Sequence, residues 1–346
     1  MNFLVRVDAS PAMGTGHVMR CLAVAEALDE LGHHSHFVMA ETTTALDRRL
    51  AAAGVFVREV TAEEDAAAGA TRRVAEAIGA AGIIVDGYHF AAEWRHALRQ
   101  LGHPVLSFYD HLPQGVLDAD IVVNPALDDV APSLRDMAPH ATWLLGPRYV
   151  LLRRELRRAL SAQPLPLARR AAVLVAFGGS DPARLTLPVT KALRGVLPDD
   201  LAIDVMLGGS VPDREQVAAS LAELGPNVRV HIDAPDMGRL MRQTGLAISA
   251  AGVTLGELAA FAVPTIAVVV AENQDSGARH AAELGWCRAI DGRSAEPAAE
   301  IAVAAAELWD DQAAREAMQR RAQATVDGQG VSRLCQALLA LDARED

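Results

Sequence analysis

The stretch FLVRVDASPAMGTGHVMRCLAVAEALDEL, residues 3–31, contains the unit from which the fold is read. Residues 3–7 make a short apolar strand and 9–16 a loop of small side chains. Residues 17–31 read as an amphipathic helix with Met19, Leu22, Ala23, Ala25, Ala27 and Leu28 on its buried side. Gly32 stands where a helix end favours a left-handed residue. Further strand-like runs follow at 36–39, 55–60, 82–85, 105–108, 121–123 and 143–145, with helical patterns at 45–53 and 71–81. Short apolar strands alternating with helices predict a parallel sheet covered on both faces.

The pattern then restarts. Residues 161–170, SAQPLPLARR, carry two prolines and no apolar periodicity, and read as a linker. Beyond them come a strand at 172–176, a loop at 177–182 and a helix running to Leu193, with Pro182 in its first turn and Gly195 closing it. Strands are predicted at 202–206, 228–231, 246–249 and 265–270, and residues 297–341 read as helical throughout. A chain of 346 residues exceeds the size at which one core stops growing. The expectation is an α/β architecture of two Rossmann-like domains, 1–160 and 171–346. Ligands of such sheets bind beyond the carboxyl ends of the strands, which predicts a site in an interdomain cleft.

Composition narrows the function. The net charge of −12 argues against a broad nucleic-acid surface, which needs clustered Lys and Arg. Cys21, Cys287 and Cys335 are scattered, without the spacing of a zinc site, and read as reduced, packed thiols. The N-terminus is too short and too charged for a signal peptide, and no uncharged apolar stretch reaches spanning length. A cytoplasmic protein with no membrane partner is expected. There is no Gly-x-x-x-x-Gly-Lys-Ser/Thr loop for ATP cleavage and no Gly-x-Ser-x-Gly elbow for acyl hydrolysis.

Chemistry-bearing residues gather at predicted strand ends. Gly14-Thr15-Gly16-His17, with Arg20 one turn later, joins strand to helix. Glycines let backbone amides approach a ligand, and the helix start offers free N–H groups and a positive dipole end. That dipole disfavours an imidazolium at His17, leaving a neutral ring able to accept a proton from water; a ring that merely caps the helix is the alternative. Asp86-Gly87-Tyr88-His89, Asp110-His111 and Asn124 follow three further strands. Each alone fits a turn as well as a ligand contact, but three strand ends in a row point to a shared site. In the second half, Gly178-Gly179-Ser180 can cradle phosphate oxygens. Ala251-Gly252-Val253-Thr254 can bring amides to a pyrophosphate. Glu257, read as a first-turn residue, either binds ribose hydroxyls or lies on a solvated surface favoured by the dipole. Asn273 and Gln274 add uncharged hydrogen-bonding groups at the same edge.

Four segments carry a family resemblance: RVDASPAMGTGHVMRCLAVAEAL at 6–28, DGYHF at 86–90, LLGPRYVLLRREL at 144–156 and ISAAGVTLGELAAFAVPTIAVVVAENQ at 248–274. Together they resemble the UDP-2,4-diacetamido-2,4,6-trideoxy-β-L-altropyranose hydrolases of pseudaminic acid biosynthesis and the related spore-coat polysaccharide proteins. The resemblance implies a GT-B fold and a metal-independent, inverting hydrolysis of the sugar C1–O bond that releases UDP, without a cofactor. It implies that His17 activates the water and that Tyr88 lies on the sugar side; the strand-end reading puts Gly14, Gly16, Arg20, Asp86, Asp110 and Asn124 with it as substrate-binding candidates. It puts Glu257, Asn273 and Gln274 on the nucleotide side, to which the loop reading adds Gly178, Gly179, Ser180, Ala251, Gly252, Val253 and Thr254. The chain departs from the family at Ala250-Ala251-Gly252-Val253, where many relatives have a Gly-Gly pair and a polar residue, and at Asp110-His111, where relatives often show Asp-Asp. The expected partner is a small-molecule nucleotide-sugar; no oligomeric state is read from the sequence. A GT-B glycosyltransferase with an acceptor other than water, a hydrolase acting on another nucleotide or sugar, and a binding module that has lost catalysis are the competing readings. The intact His17 and loop glycines count against the last.

Overall fold

A computed structural model of the chain describes residues 1–10, 13–110, 117–161, 165–234 and 236–342. His111 and residues 162–164 of the expected linker therefore lie outside the described residues. Two sheets, every pairing parallel, organise the rest. The first contains β1 (Asn2–Val7), β2 (His34–Met39), β3 (Phe56–Glu59), β4 (Ala80–Asp86), β5 (Val105–Phe108), β6 (Ile121–Asn124) and β7 (Thr142–Leu145). Their order is β3-β2-β1-β4-β5-β6-β7. The second contains β8 (Ala172–Ala176), β9 (Ala202–Leu207), β10 (Val228–Ile232), β11 (Thr244–Ala250), β12 (Thr265–Val269) and β13 (Cys287–Asp291), in the order β10-β9-β8-β11-β12-β13. In each sheet the chain first winds one way and then reverses, at β1/β4 and at β8/β11. Such reversals open a crevice at the carboxyl ends of the central strands.

Alternation along β1 shows how the layers form. Phe3, Val5 and Val7 enter the core beneath the helix Gly16–Glu30, which contributes Val18, Cys21, Leu22, Ala25 and Leu28. Leu4 faces the other way, into a cluster with Ile83, Val85, Trp94 and Leu98. Each fully buried Leu, Val or Ile contributes about 1.5–3 kcal/mol, so both faces of the sheet must be covered. In the second sheet Val173, Val175, Ile203, Val205, Leu246 and Ile248 share one core with Ile266 and Val268.

Contacts divide the chain into two compact units. One comprises Met1–Ser10, His17–Arg154 and the chain from Gln329 on; the other comprises Glu155–Gly328 and the loop segment ending at Gly16. The expected boundary placed everything after 171 in the second domain, whereas the last helix, Gly330–Asp342, belongs to the first. Val331, Leu334, Cys335 and Leu338 of that helix are buried in the core beneath β1. A side chain on Gly330 would run into the backbone of Tyr149 and Val150. The Arg333 guanidinium also donates to the Arg148 carbonyl (2.9 Å). Part of the Gly-Pro-Arg-Tyr segment thus serves as the landing for the C-terminal helix.

Other boundaries moved for local reasons. The helix expected over 71–81 is Gly69–Ile78, because Gly79 takes a left-handed φ of +58° and Ala80 opens β4. The region 297–341 is three helices, Pro297–Asp310, Gln312–Thr325 and Gly330–Asp342. No helix among the described residues is long and apolar enough to cross a membrane.

Candidate active site

His17 is the second residue of the helix that follows β1, and Asp86 is the last residue of β4. Val7 pairs with Asp86 across these neighbouring strands, so both groups stand at the winding reversal of the first sheet. The His17 Nδ1 lies 2.7 Å from the Asp86 carboxylate. A carboxylate has only lone pairs to offer, so Nδ1–H donates, and in the neutral ring Nε2 is then the nitrogen that carries the lone pair. The sequence left His17 with the helix dipole as its one neighbour; Asp86 now defines both its tautomer and its orientation.

Arg20, one turn beyond His17, ties the cluster together. Its Nε and Nη2 donate to the two Asp86 oxygens (2.5 and 2.6 Å), and Nη1 donates to Asp110, two residues past β5 (2.6 Å). The guanidinium lies over the Phe108 ring, 4.7 Å from its centroid. His17, Arg20 and Asp86 are all buried. Burial alone would raise the Asp86 carboxyl, but Arg20 and His17 outweigh it and hold Asp86 well below the usual carboxylate range. Burial likewise opposes the Arg20 charge, and Asp110 and Asp86 more than restore it. Cys21, which the sequence placed among inert thiols, points its Sγ at Asp86 (3.7 Å); burial and that carboxylate push its thiol up.

Tyr88 stands edge-on to His17, with ring centroids 4.6 Å apart and planes at 84°. Partial burial and then Asp110, which accepts a hydrogen bond from it, push the Tyr88 phenol up. The structure therefore brings His17, Arg20, Asp86, Tyr88 and Asp110 together. Asn124, the last residue of β6, is buried and uses its Oδ1 to accept from the Ala126 amide (2.8 Å), which makes it a turn-former. Gly14 adopts φ +77° in the loop ahead of the helix, and Gly16 is the first helical residue.

At the reversal of the second sheet, the loops after β8 and β11 share an edge. Gly178 has φ +82°, the Gly179 carbonyl accepts from the Ser210 amide (3.1 Å), and the Ser180 hydroxyl is buried with no hydrogen-bond partner among the described residues. The following helix, expected to begin at Pro182, is Thr186–Arg194. Asp181 accounts for the difference: its carboxylate accepts from the Leu185 and Thr186 amides (3.0 and 2.9 Å), occupying the donors a phosphate would use.

The helix Val253–Ala260 after β11 is different. Its N-cap is Gly252, and no side chain among the described residues caps it, so the Val253 and Thr254 amides keep free hydrogens at the positive end of the dipole. Ala251 offers none, because its N–H bonds the Val268 carbonyl (2.9 Å). Gln274 accepts from the Val270 amide (3.0 Å), and its Nε2 faces Gly252. Asn273 lies beside it in the short turn Glu272–Gln274. Glu257 is the fifth helical residue, past the first turn, and it is buried; the solvated alternative does not apply.

The chain superposes over 98% of its length on 99% of MurG from Acinetobacter baumannii, with a TM-score of 0.64 and 18% identity. It likewise covers 94% of S. aureus MnaA, solved with UDP, over 96% of its own length (TM-score 0.66, 13% identity). The fold is GT-B. Within that GT-B chain, residues 173–333 match the glycosyltransferase family 28 C-terminal domain. Among curated proteins it is 23% identical over 281 residues to the uncharacterized protein MJ1062 of Methanocaldococcus jannaschii, an overlap of 79% of this chain and 57% of that one. It is 28% identical over 202 residues to the spore coat polysaccharide biosynthesis protein SpsG of Bacillus subtilis, covering 58% of this chain and 59% of the relative. The GT-B chain thus spans less than two thirds of the length of the curated relatives it matches.

Proposed function

We propose that this chain hydrolyses a nucleotide-sugar, UDP-linked, at the anomeric carbon, releasing free sugar and nucleoside diphosphate. The observation that carries this reading is the His17–Asp86–Arg20 arrangement. Asp86 fixes the imidazole with Nε2 as the free acceptor, and Arg20 fixes Asp86. Nε2 takes a proton from water as its oxygen bonds to C1. The C1–O electron pair leaves with the diphosphate, and a single displacement inverts the anomeric centre. The proton that His17 accepts creates an imidazolium against the Asp86 carboxylate, an ion pair formed only as the reaction proceeds.

Each edge, taken by itself, has a polarity that favours one part of such a substrate. On the first unit the three guanidinium nitrogens of Arg20 already bind carboxylates, and the Asp110 Oδ1 is a buried acceptor without a partner among the described residues. That edge suits a neutral group rich in hydrogen-bond donors, such as a sugar. On the second unit the uncapped helix start at Gly252 and the Ser180 hydroxyl offer donors, which suit a diphosphate and the charge it gains on leaving. We assign Glu257, Asn273 and Gln274 to the nucleoside in this reading.

One observation favours a second reading, transfer of the sugar to an acceptor hydroxyl: the match of residues 173–333 to the family 28 domain. Incubation with UDP-, CMP- and GDP-sugars, with and without acceptor alcohols, separates the two. Free UDP without any acceptor supports hydrolysis, acceptor-dependent release supports transfer, and binding without release overturns both.

A further inference from the structure

A second Arg–Asp–His chain stands beside the first. Asp8, directly after β1, is buried; it takes Arg6 at 2.8 Å and the amides of Ala40 (2.5 Å) and Glu41 (3.2 Å). Arg6 in turn donates to Asp65 (2.8 Å). The remaining Asp8 oxygen meets the His89 Nε2 at 2.7 Å. Burial opposes the Asp8 charge, but His89 and Arg6 outweigh it and hold its carboxyl well below the usual range. Asp8 is therefore a fixed acceptor on a fixed strand end, and His89 donates to it whichever charge the ring carries.

Residues 87–90 form the turn between β4 and the helix Ala92–Arg99, and this turn presents Tyr88 to His17. Tyr88 is 43% exposed, so its own burial does not hold it. Gly87 takes φ +155°, and a Cβ there would stand 2.8 Å from the Phe90 ring and 3.0 Å from the His89 ring. The turn is folded back so tightly that its two following rings lie on the glycine. Arg95, buried beneath, donates to the carbonyls of Phe90 (3.2 Å) and Gly87 (3.3 Å).

We propose that His89 and Asp8 are positioning residues for Tyr88. Their hydrogen bond pins the 87–90 turn from the β1 side, so that the Tyr88 ring stays edge-on to His17 and its hydroxyl stays on Asp110. The consequence for turnover rests on the proposed function, because Tyr88 then forms one wall of the sugar site. A shape-constrained wall lowers the cost of ordering the site when the sugar binds.

The test compares His89→Leu, which removes the donor, with His89→Gln, which restores one. Amide hydrogen exchange over 87–90 is expected to rise about tenfold in His89→Leu and to return close to the parent rate in His89→Gln. KM for the UDP-sugar that the parent turns over should rise about tenfold in a His89→Leu protein that remains folded, with UDP affinity unchanged, and recover in His89→Gln. Unchanged exchange in His89→Leu, or a His89→Gln protein as impaired as His89→Leu, overturns the proposal. Exchange that follows the clasp while KM stays flat overturns the role for Tyr88. If the parent releases no nucleotide from any UDP-sugar, the proposed function fails separately, and exchange alone decides the clasp.

Discussion

Asp86→Asn probes the site with almost no change of shape. Asp86 makes three short bonds, two to Arg20 (2.5 and 2.6 Å) and one to the His17 Nδ1 (2.7 Å). An asparagine keeps the volume, but it offers one oxygen where there were two and turns the other position into a donor. If the amide N–H faces Nδ1, the imidazole is driven to the opposite tautomer, and Nε2 carries the hydrogen it should be free to accept. If the amide oxygen faces Nδ1, the tautomer survives, but no carboxylate stands against the imidazolium that forms. Either way the base loses most of its contribution, about 10²–10⁴-fold in kcat, which is about 2.7–5.5 kcal/mol of barrier. Arg20 retains Asp110 and one amide oxygen, so the loss of stability should fall below the about 3–5 kcal/mol typical of a buried ion pair stripped of its partner. Nucleotide release from the UDP-sugar under saturating conditions measures kcat, and calorimetric titration with UDP shows whether the nucleotide side is intact. A folded Asp86→Asn protein with kcat within about threefold of the parent would refute the coupling of Asp86 to His17.

His17→Asn should lower kcat by about 10²–10⁴-fold while UDP affinity stays near that of the parent; near-normal turnover removes His17 from the mechanism. Glu257→Ala should weaken UDP binding by about 10–100-fold, the worth of hydrogen bonds to a charged acceptor, and unchanged calorimetric affinity counts against the nucleoside placement. The Asp86 carboxyl is depressed in the folded chain, so its stabilisation is complete above the ordinary carboxylate range and is lost as pH falls through the depressed value. The stability difference between the parent and Asp86→Asn, from urea unfolding at pH 5 and below, should be near its full value at pH 5 and shrink as pH falls through about 4 and below. A difference that stays constant or grows as pH falls below about 4 contradicts that sign.

Much of this was legible in the sequence because parallel strands announce themselves. The runs at 82–85 and 246–248 hold no charged or polar side chain, and the polar residue that follows each one marks the edge where ligands bind. Asp86 and Asp110 were found in this way. β13 was missed because its sequence, Cys-Arg-Ala-Ile-Asp at 287–291, is interrupted by charge, as suits an edge strand. The C-terminal helix was recognised as a helix but assigned to the wrong unit: an apolar stripe says that a helix must be covered, and does not say by which core. Proline favours the first turn of a helix and so points to a start near Pro182, whereas the side chain of Asp181 sets the start at Thr186. Asp8, adjacent to the strand whose reading decides the fold, went unremarked because its partner His89 is remote in sequence and meets it only once β1 and β4 are neighbours.

Which bond breaks is the most direct question to put to this chain. Attack at phosphorus would cleave the diphosphate and release a sugar phosphate, whereas attack at C1 sends the electron pair to a diphosphate that amides at a helix start can stabilise. The reaction run in ¹⁸O-labelled water, with EDTA present, distinguishes them by mass spectrometry of the products. One labelled oxygen in the free sugar and none in UDP is the result expected of a His17-activated water. Label in the nucleotide or in a sugar phosphate would contradict hydrolysis at the anomeric carbon.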